Sequence, residues 1–231
     1  MARVKQNSSE SPPANGSERA EASRVEAVYE RILLDIVRGE LVGGTELKST
    51  QLAQRLGFSR TPVVQALQRL AADGIVALEV NKRAVVRPGA ENWLVEIHEI
   101  RELLEPHAAA MAAERVTPED LARLQSLADA VKIGSGANWE EAAQRFDFEL
   151  HLVIAARCGN FAMGETIRKC WSFKRLSYEA VPEKPESLEK GYREHLAVLQ
   201  ALKERDSQTA SAAMLFHLRS AATSRPAKTI V

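Results

Sequence analysis

The run DFELH places Asp147 and His151 four residues apart, one helical turn, so both side chains leave the same face and can reach one cation. Two more imidazoles lie in segments of helical period: His195 in GYREHLAVLQAL, beside the apolar stripe Leu196, Leu199 and Leu202, and His217 in AAMLFHLRS. One carboxylate and three imidazoles from three helices make a donor set for a borderline divalent metal ion, zinc first, with nickel, manganese or iron as alternatives. Six-coordinate geometry would leave positions for water or a ligand oxygen. Each histidine alone reads as an ordinary core or surface residue, and an Asp/His pair one turn apart is often only a polar contact, so the weight lies in the combination. His98 and His107 have no such pairing and are read as structural.

Arg101 is the other side chain with chemistry to offer. In NWLVEIHEIRELLEPHAAA it lies near the face that carries Leu94, Ile97, Leu104 and Ala108, so its guanidinium points inward and needs a carboxylate there. That carboxylate belongs to a bound ligand, to Glu105 one turn on, or to another glutamate of the same half. Pro106 removes a backbone donor inside this helix and is expected to bend it.

These residues require long helices to position them, and from Glu91 onward the sequence is almost purely helical in period. Asn92 opens one helix, Thr117, Pro118 and Glu119 open the next, and GSGAN breaks the chain before Asn138 and Glu141 open a third. Gly159 and Asn160 close that helix. Phe161 to about Ala180 is a fourth, VPEKPES a loop, Ser187 to Arg205 a fifth, and Asp206 caps a sixth. The expected architecture over residues 93–225 is an antiparallel bundle of about six helices whose core can host a ligand or metal between facing side chains.

Residues 21–88 read differently. STQLAQRLG and GFSRTPVVQALQRLAADG form two short helices around Gly57, the second with the stripe Val63, Ala66, Leu67, Leu70 and Ala71 inside. Ser59 or Thr61 can cap it, and Pro62 suits its first turn. IVALEV and AVVRP, around a polar tip of Asn81, Lys82 and Arg83, read as a hairpin wing. SRVEAVYERILLDIVRG precedes them, with Ser23 and Glu26 spaced as a capping box and Val25, Val28, Ile32, Leu33 and Ile36 apolar. The fold class is therefore mainly α, an N-terminal winged helix-turn-helix followed by the bundle, with residues 89–92 as the linker. Thr50, Ser59, Arg60, Thr61, Gln65, Lys82 and Arg83 are the DNA-binding candidates.

Charge agrees. Between Lys48 and Pro88 seven Lys or Arg face only Asp73 and Glu79, whereas the 231-residue chain is neutral, so this segment carries a local phosphate-binding excess. Hydrophobic residues make up 45% of the chain, enough for a sizeable core, yet no apolar run reaches the length of a membrane span, and no membrane partner is expected. Residues 1–20 are polar and rich in Ser, Pro and Asn, and are expected to be a disordered tail. Cys158 and Cys170 have neither metal-ligand spacing nor a disulfide framework, which fits the cytoplasm.

Over roughly residues 25–222 the order of these segments resembles the GntR family of bacterial transcription regulators, in its FadR-like (FCD) branch. The resemblance rests on RILLDIVRGELVGGTELKSTQLAQRLGFSRTPVVQALQRLAADGIV, the wing, EIRELLEPHAA, DFELHLVIAARCGN, EHLAVLQAL and AAMLFHL. It implies a homodimer on a double-stranded DNA operator, a repressor and not an enzyme, whose residues 93–225 form the effector-binding and dimerisation domain, with a small organic or sugar acid as effector. It also implies a metal held by Asp147, His151, His195 and His217, and an effector carboxylate held by Arg101. Six bundle helices look more like the VanR subgroup. The chain departs from the family where TPVREAL becomes TPVVQAL, leaving Val64 in place of an Arg, and also at Ser49, usually Glu, and Arg83, usually a wing glycine. Two other classes stay open: a metal-dependent enzyme using the same four ligands, and a metal-free bundle that binds an apolar acyl ligand.

Overall fold

The computed structural model describes residues 16–79, 83–134, 138–180 and 183–222, and the chain divides into two compact units, Met1–Ala90 and Glu91–Val231. In the first, α1 (Gly16–Val37) and α2 (Ser49–Leu56) pack on α3 (Arg60–Ala72), beside a sheet of β1 (Glu46–Leu47), β2 (Val76–Leu78) and β3 (Ala84–Val86). The sheet order is β1-β3-β2 and both pairs are antiparallel. Leu78 stands opposite Ala84, and the Glu79 amide donates to the Arg83 carbonyl at 2.8 Å, closing the wing towards its tip.

Helix α1 begins earlier than the expected tail allows. Residues 16–20 are already helical, because Glu18, Arg19, Ala20, Glu21 and Ala22 are mostly strong helix formers with no breaker among them. Ser23 therefore lies inside the helix, where a capping box with Glu26 has no helix end to serve. Residues 1–15 of the expected tail lie outside the described residues. Val28, Ile32, Leu33 and Ile36 are buried, as are Val63, Ala66, Leu67 and Leu70 of α3, so the two apolar stripes form the core of this unit. Gly57 ends α2 at φ 72° and donates to the Ala53 carbonyl, a left-handed position where a Cβ would be strained.

In the second unit a 3-10 turn at Ala90–Asn92 leads into α4 (Trp93–Ala113), α5 (Pro118–Ala130), α6 (Trp139–Arg157), α7 (Phe161–Ala180), α8 (Pro185–Glu204) and α9 (Ser207–Ala222). Helix α8 starts two residues before the expected Ser187, since Pro185 fits its first turn. Asn138 has φ 94° and makes no side-chain cap bond, so the Asn138/Glu141 pair does not act as the expected signal. Helix α4 runs through Pro106 without interruption and packs on α6, α7 and α9. Its buried Ala108, Ala109, Ala112 and Ala113 leave room for close helix approach. Helix α6 buries Phe146, Leu150 and Ile154 and packs on α5, α7 and α8. At Gly164 of α7 a Cβ would sit 2.5 Å from the Ala155 carbonyl of α6, so glycine sets that crossing. Among the described residues no helix is long and apolar enough to cross a membrane.

Helix α5 opens on a reciprocal cap. Thr117 Oγ1 accepts from the Asp120 amide at 3.2 Å, and Asp120 Oδ2 accepts from the Thr117 amide at 3.0 Å. Arg157 Nε donates to the same carboxylate at 2.6 Å, and this hydrogen bond holds Asp120 below its ordinary value. Thr117→Ala is expected to cost about 1 kcal/mol in denaturant unfolding at pH 7. Because the folded Asp120 value is depressed, its contribution is present above the unfolded carboxylate range and is lost as pH falls through the folded value.

Candidate metal centre and nucleic-acid interface

Helices α6, α8 and α9 bring the four expected ligands to one place. His195 Nε2 lies 3.3 Å from His151 Nε2 and 3.0 Å from His217 Nε2. Asp147 Oδ1 lies 3.3 Å from His151 Nε2 and 3.1 Å from His195 Nε2. One donor atom from each of the four falls within 4.8 Å of the others. An ion bound at about 2.1 Å keeps neighbouring ligand atoms about 3.0–3.4 Å apart in octahedral or tetrahedral geometry, so these spacings fit a divalent metal. The three imidazoles are buried, and Phe146 presents its ring edge to His195.

The electrostatics suit ligation. Burial opposes ionisation of Asp147, but the His195 and His151 imidazoles hold its carboxyl well below the usual range. Burial, reinforced by His195 and His151, keeps His217 well below its ordinary value, so it is a neutral lone-pair donor. Burial would also lower His151, yet the Glu105 and Asp147 carboxylates outweigh it and raise the ring. An ionised carboxylate and a neutral imidazole are the forms that bind metal, so Asp147 and His217 are set for ligation, while the His151 ring, held towards its protonated form, releases its proton as a metal binds.

Arg101 is buried and pairs with Glu105, one of the partners the sequence left open: its Nε donates to Oε1 at 2.5 Å. The guanidinium also lies 4.1 Å from the centroid of the Trp171 ring, and Trp171 Nε1 donates to Glu105 Oε1 at 3.0 Å. Glu105 Oε2 meets His151 Nδ1. Burial resists ionisation of Glu105, but Arg101 and His151 pull its pKa down to about 2. Sequence reasoning weighed Glu105 only as a partner for Arg101 and missed Glu194, whose Oε2 lies 3.0 Å from His217 Nδ1. The one local signal for Glu194 is its place next to His195. His98 has a structural contact, its Nε2 lying 2.8 Å from the Leu218 carbonyl, and His107 is exposed.

In the first unit Thr50, Ser59, Arg60, Thr61 and Gln65 are all exposed around the start of α2 and the first turns of α3, and Arg83 is exposed on the wing. Lys82 lies outside the described residues. Ser59 occupies the N-cap position but its hydroxyl makes no cap bond. Val64, 39% exposed, puts an apolar side chain on the same surface. Arg55 and Arg69, counted in the basic excess, are committed elsewhere: Arg55 Nη2 donates to Asp35 at 2.7 Å, and Arg69 pairs with Glu26 over the Tyr29 ring. The charge available to a phosphate backbone is correspondingly smaller than the sequence count.

Residues 24–86 match the family described as bacterial regulatory proteins, gntR family, and residues 96–220 match the FCD domain. The chain is 31% identical over 215 residues to the HTH-type transcriptional regulator LutR of Bacillus subtilis, covering 79% of this chain and 92% of LutR. It is 30% identical to McbR of Escherichia coli over 74% of this chain and 78% of McbR. The solved E. coli McbR/YncC structure superimposes with a TM-score of 0.58 at 26% identity, covering 85% of this chain and 93% of that one. A helix-turn-helix with a wing, a helical half that matches the FCD domain, and relatives similar over most of their length together place this chain in the GntR family of bacterial regulatory proteins, in its FCD branch, as a DNA-binding transcription regulator.

Proposed function

We propose that the protein is a metal-dependent sensor that represses transcription as a homodimer in the cytoplasm. Asp147, His151, His195 and His217 hold one divalent ion, zinc first, and the carboxylate of a small organic or sugar acid takes up its remaining coordination. The observation that carries this reading is that His195 Nε2 lies 3.0–3.3 Å from His151 Nε2, His217 Nε2 and Asp147 Oδ1, with donor atoms of all four residues within 4.8 Å of one another. A bound divalent ion supplies Lewis-acidic positions for an anionic oxygen. Arg101, the cation that the family resemblance assigns to the effector, would exchange Glu105 for the ligand carboxylate. Glu105 and Glu194 each face a ligand imidazole, so neither stands as a general base, which favours sensing over turnover.

Two DNA-reading heads in a two-fold dimer would meet a near-palindromic operator, with Thr50, Ser59, Arg60, Thr61 and Gln65 at the groove and Lys82 and Arg83 along the backbone. Ile100, Leu103 and Phe216, exposed on the adjoining α4 and α9, are the apolar surface that a second copy would cover. Effector binding shifts the dimer between operator-competent and released forms. Six helices in the second unit, among the described residues, agree with a VanR-type arrangement.

Fluorescence anisotropy with the DNA upstream of the protein's own gene tests this. Salt-sensitive, specific binding is expected, weakened by Arg60→Ala by about 1–3 kcal/mol, with the salt slope falling by about 1 if Arg60 meets a phosphate. Binding that is equal for unrelated DNA and indifferent to Arg60→Ala would overturn the operator reading.

A further inference from the structure

Two imidazoles of the centre carry a carboxylate on the edge away from the ligand cluster. Glu194 of α8 directs Oε2 at His217 Nδ1 of α9, 3.0 Å away, while its Oε1 accepts from Ser220 Oγ at 2.6 Å. Glu105 of α4 directs Oε2 at His151 Nδ1 of α6, while its Oε1 accepts from Arg101 Nε at 2.5 Å and from Trp171 Nε1 at 3.0 Å. Imidazole has two neutral tautomers, and a carboxylate at Nδ1 selects the one whose lone pair sits on Nε2. Nε2 is the atom that both rings turn towards His195, and that His151 also turns towards Asp147. Each carboxylate is itself held by a second donor, so neither can swing away without breaking another bond.

We propose that Glu194 and Glu105 are positioning residues of this centre: they fix the Nδ1–H tautomer and ring orientation of His217 and His151, and thereby set metal affinity. Arg101 and Trp171 hold Glu105 for that task, and Ser220 holds Glu194. The inference rests on the metal reading above and adds the groups that make its ligands competent. It also gives Arg101 a task that needs no effector, as the counter-ion of a buried orienting carboxylate.

The test uses the full chain, stripped of metal, in competition titrations of zinc against a chromophoric chelator, with nickel and manganese run in parallel. Glu194→Gln keeps the size and one acceptor oxygen but removes the charge, and Glu194→Ala removes both. The dissociation constant is expected to rise about 10-fold in the first and about 100-fold in the second. Because the Glu194 side chain is largely buried and also holds Ser220, the midpoint of the stripped protein is measured for each variant, and metal affinity is judged by the dissociation constant. Side-chain 15N shifts of the stripped wild type should show His217 as the Nδ1–H tautomer, and Glu194→Ala should lose that signature. The double variant Arg101→Met/Glu105→Gln, which keeps the core uncharged, is expected to weaken binding by a similar factor. Wild-type metal binding matched within twofold by Glu194→Ala and by the double variant overturns the inference alone. A wild type that takes up none of the three metals overturns the metal reading, and this inference falls with it.

Discussion

On the proposed metal reading, the wild type is expected to take up about one ion per chain with a rise in Tm, and His195→Ala to reduce that uptake to background and abolish the rise. His195 Nε2 is the hub of the ligand set, within 3.0–3.3 Å of His217, Asp147 and His151. Its loss leaves Asp147 and His151 on one helix and His217 on another, without the atom that joins them. At metal a hundred times above the dissociation constant, binding stabilises the folded chain by about 2.7 kcal/mol, and that increment is what the variant forfeits. The cavity left beside Phe146 also lowers the stability of the metal-free protein, so the decisive quantity is the difference between loaded and chelator-treated samples of each chain. Elemental analysis and calorimetry read it directly. A variant that keeps both its metal and its metal-dependent Tm would remove the basis for a sensor built on these four residues.

Much of this centre was legible because helical spacing is a local property. Asp147 and His151 share a face by arithmetic alone, and five more helices could be counted around theirs from helical period and breaks in the chain. The four-residue donor set follows from side-chain type, since few other side chains bind a borderline ion. Orientation was not legible, because Glu105 and Glu194 act across helix interfaces, 46 and 23 residues from the rings they face, and no local period encodes that distance. The same limit hid the fate of Arg55 and Arg69. Both were counted in the basic excess between Lys48 and Pro88, yet acids on α1 engage them, so a charge count along the chain overstated the phosphate-facing charge. In α1 the error was of another kind. The Ser- and Pro-rich composition of the first residues obscured the helix formers that follow Gly16, and composition averaged over twenty residues cannot locate a boundary inside them.

Glu105→Gln is expected to be strongly destabilising, at about 3–5 kcal/mol by denaturant unfolding, because it breaks a buried ion pair by removing the carboxylate that the Arg101 guanidinium binds. The face of Trp171 lies 4.1 Å from that guanidinium, but a ring quadrupole offsets only part of the cost of losing a buried carboxylate partner. Adding Arg101→Met removes the buried charge that paired with Glu105 and fills similar volume, so the double variant should recover most of the loss. Metal affinity should not recover with it, since His151 still lacks its carboxylate. That divergence separates the two tasks of the pair. If the charges served only to hold α4 to its neighbours, stability and metal affinity would return together in the double variant; if Glu105 orients His151, a stable protein with a weakened metal site is the outcome.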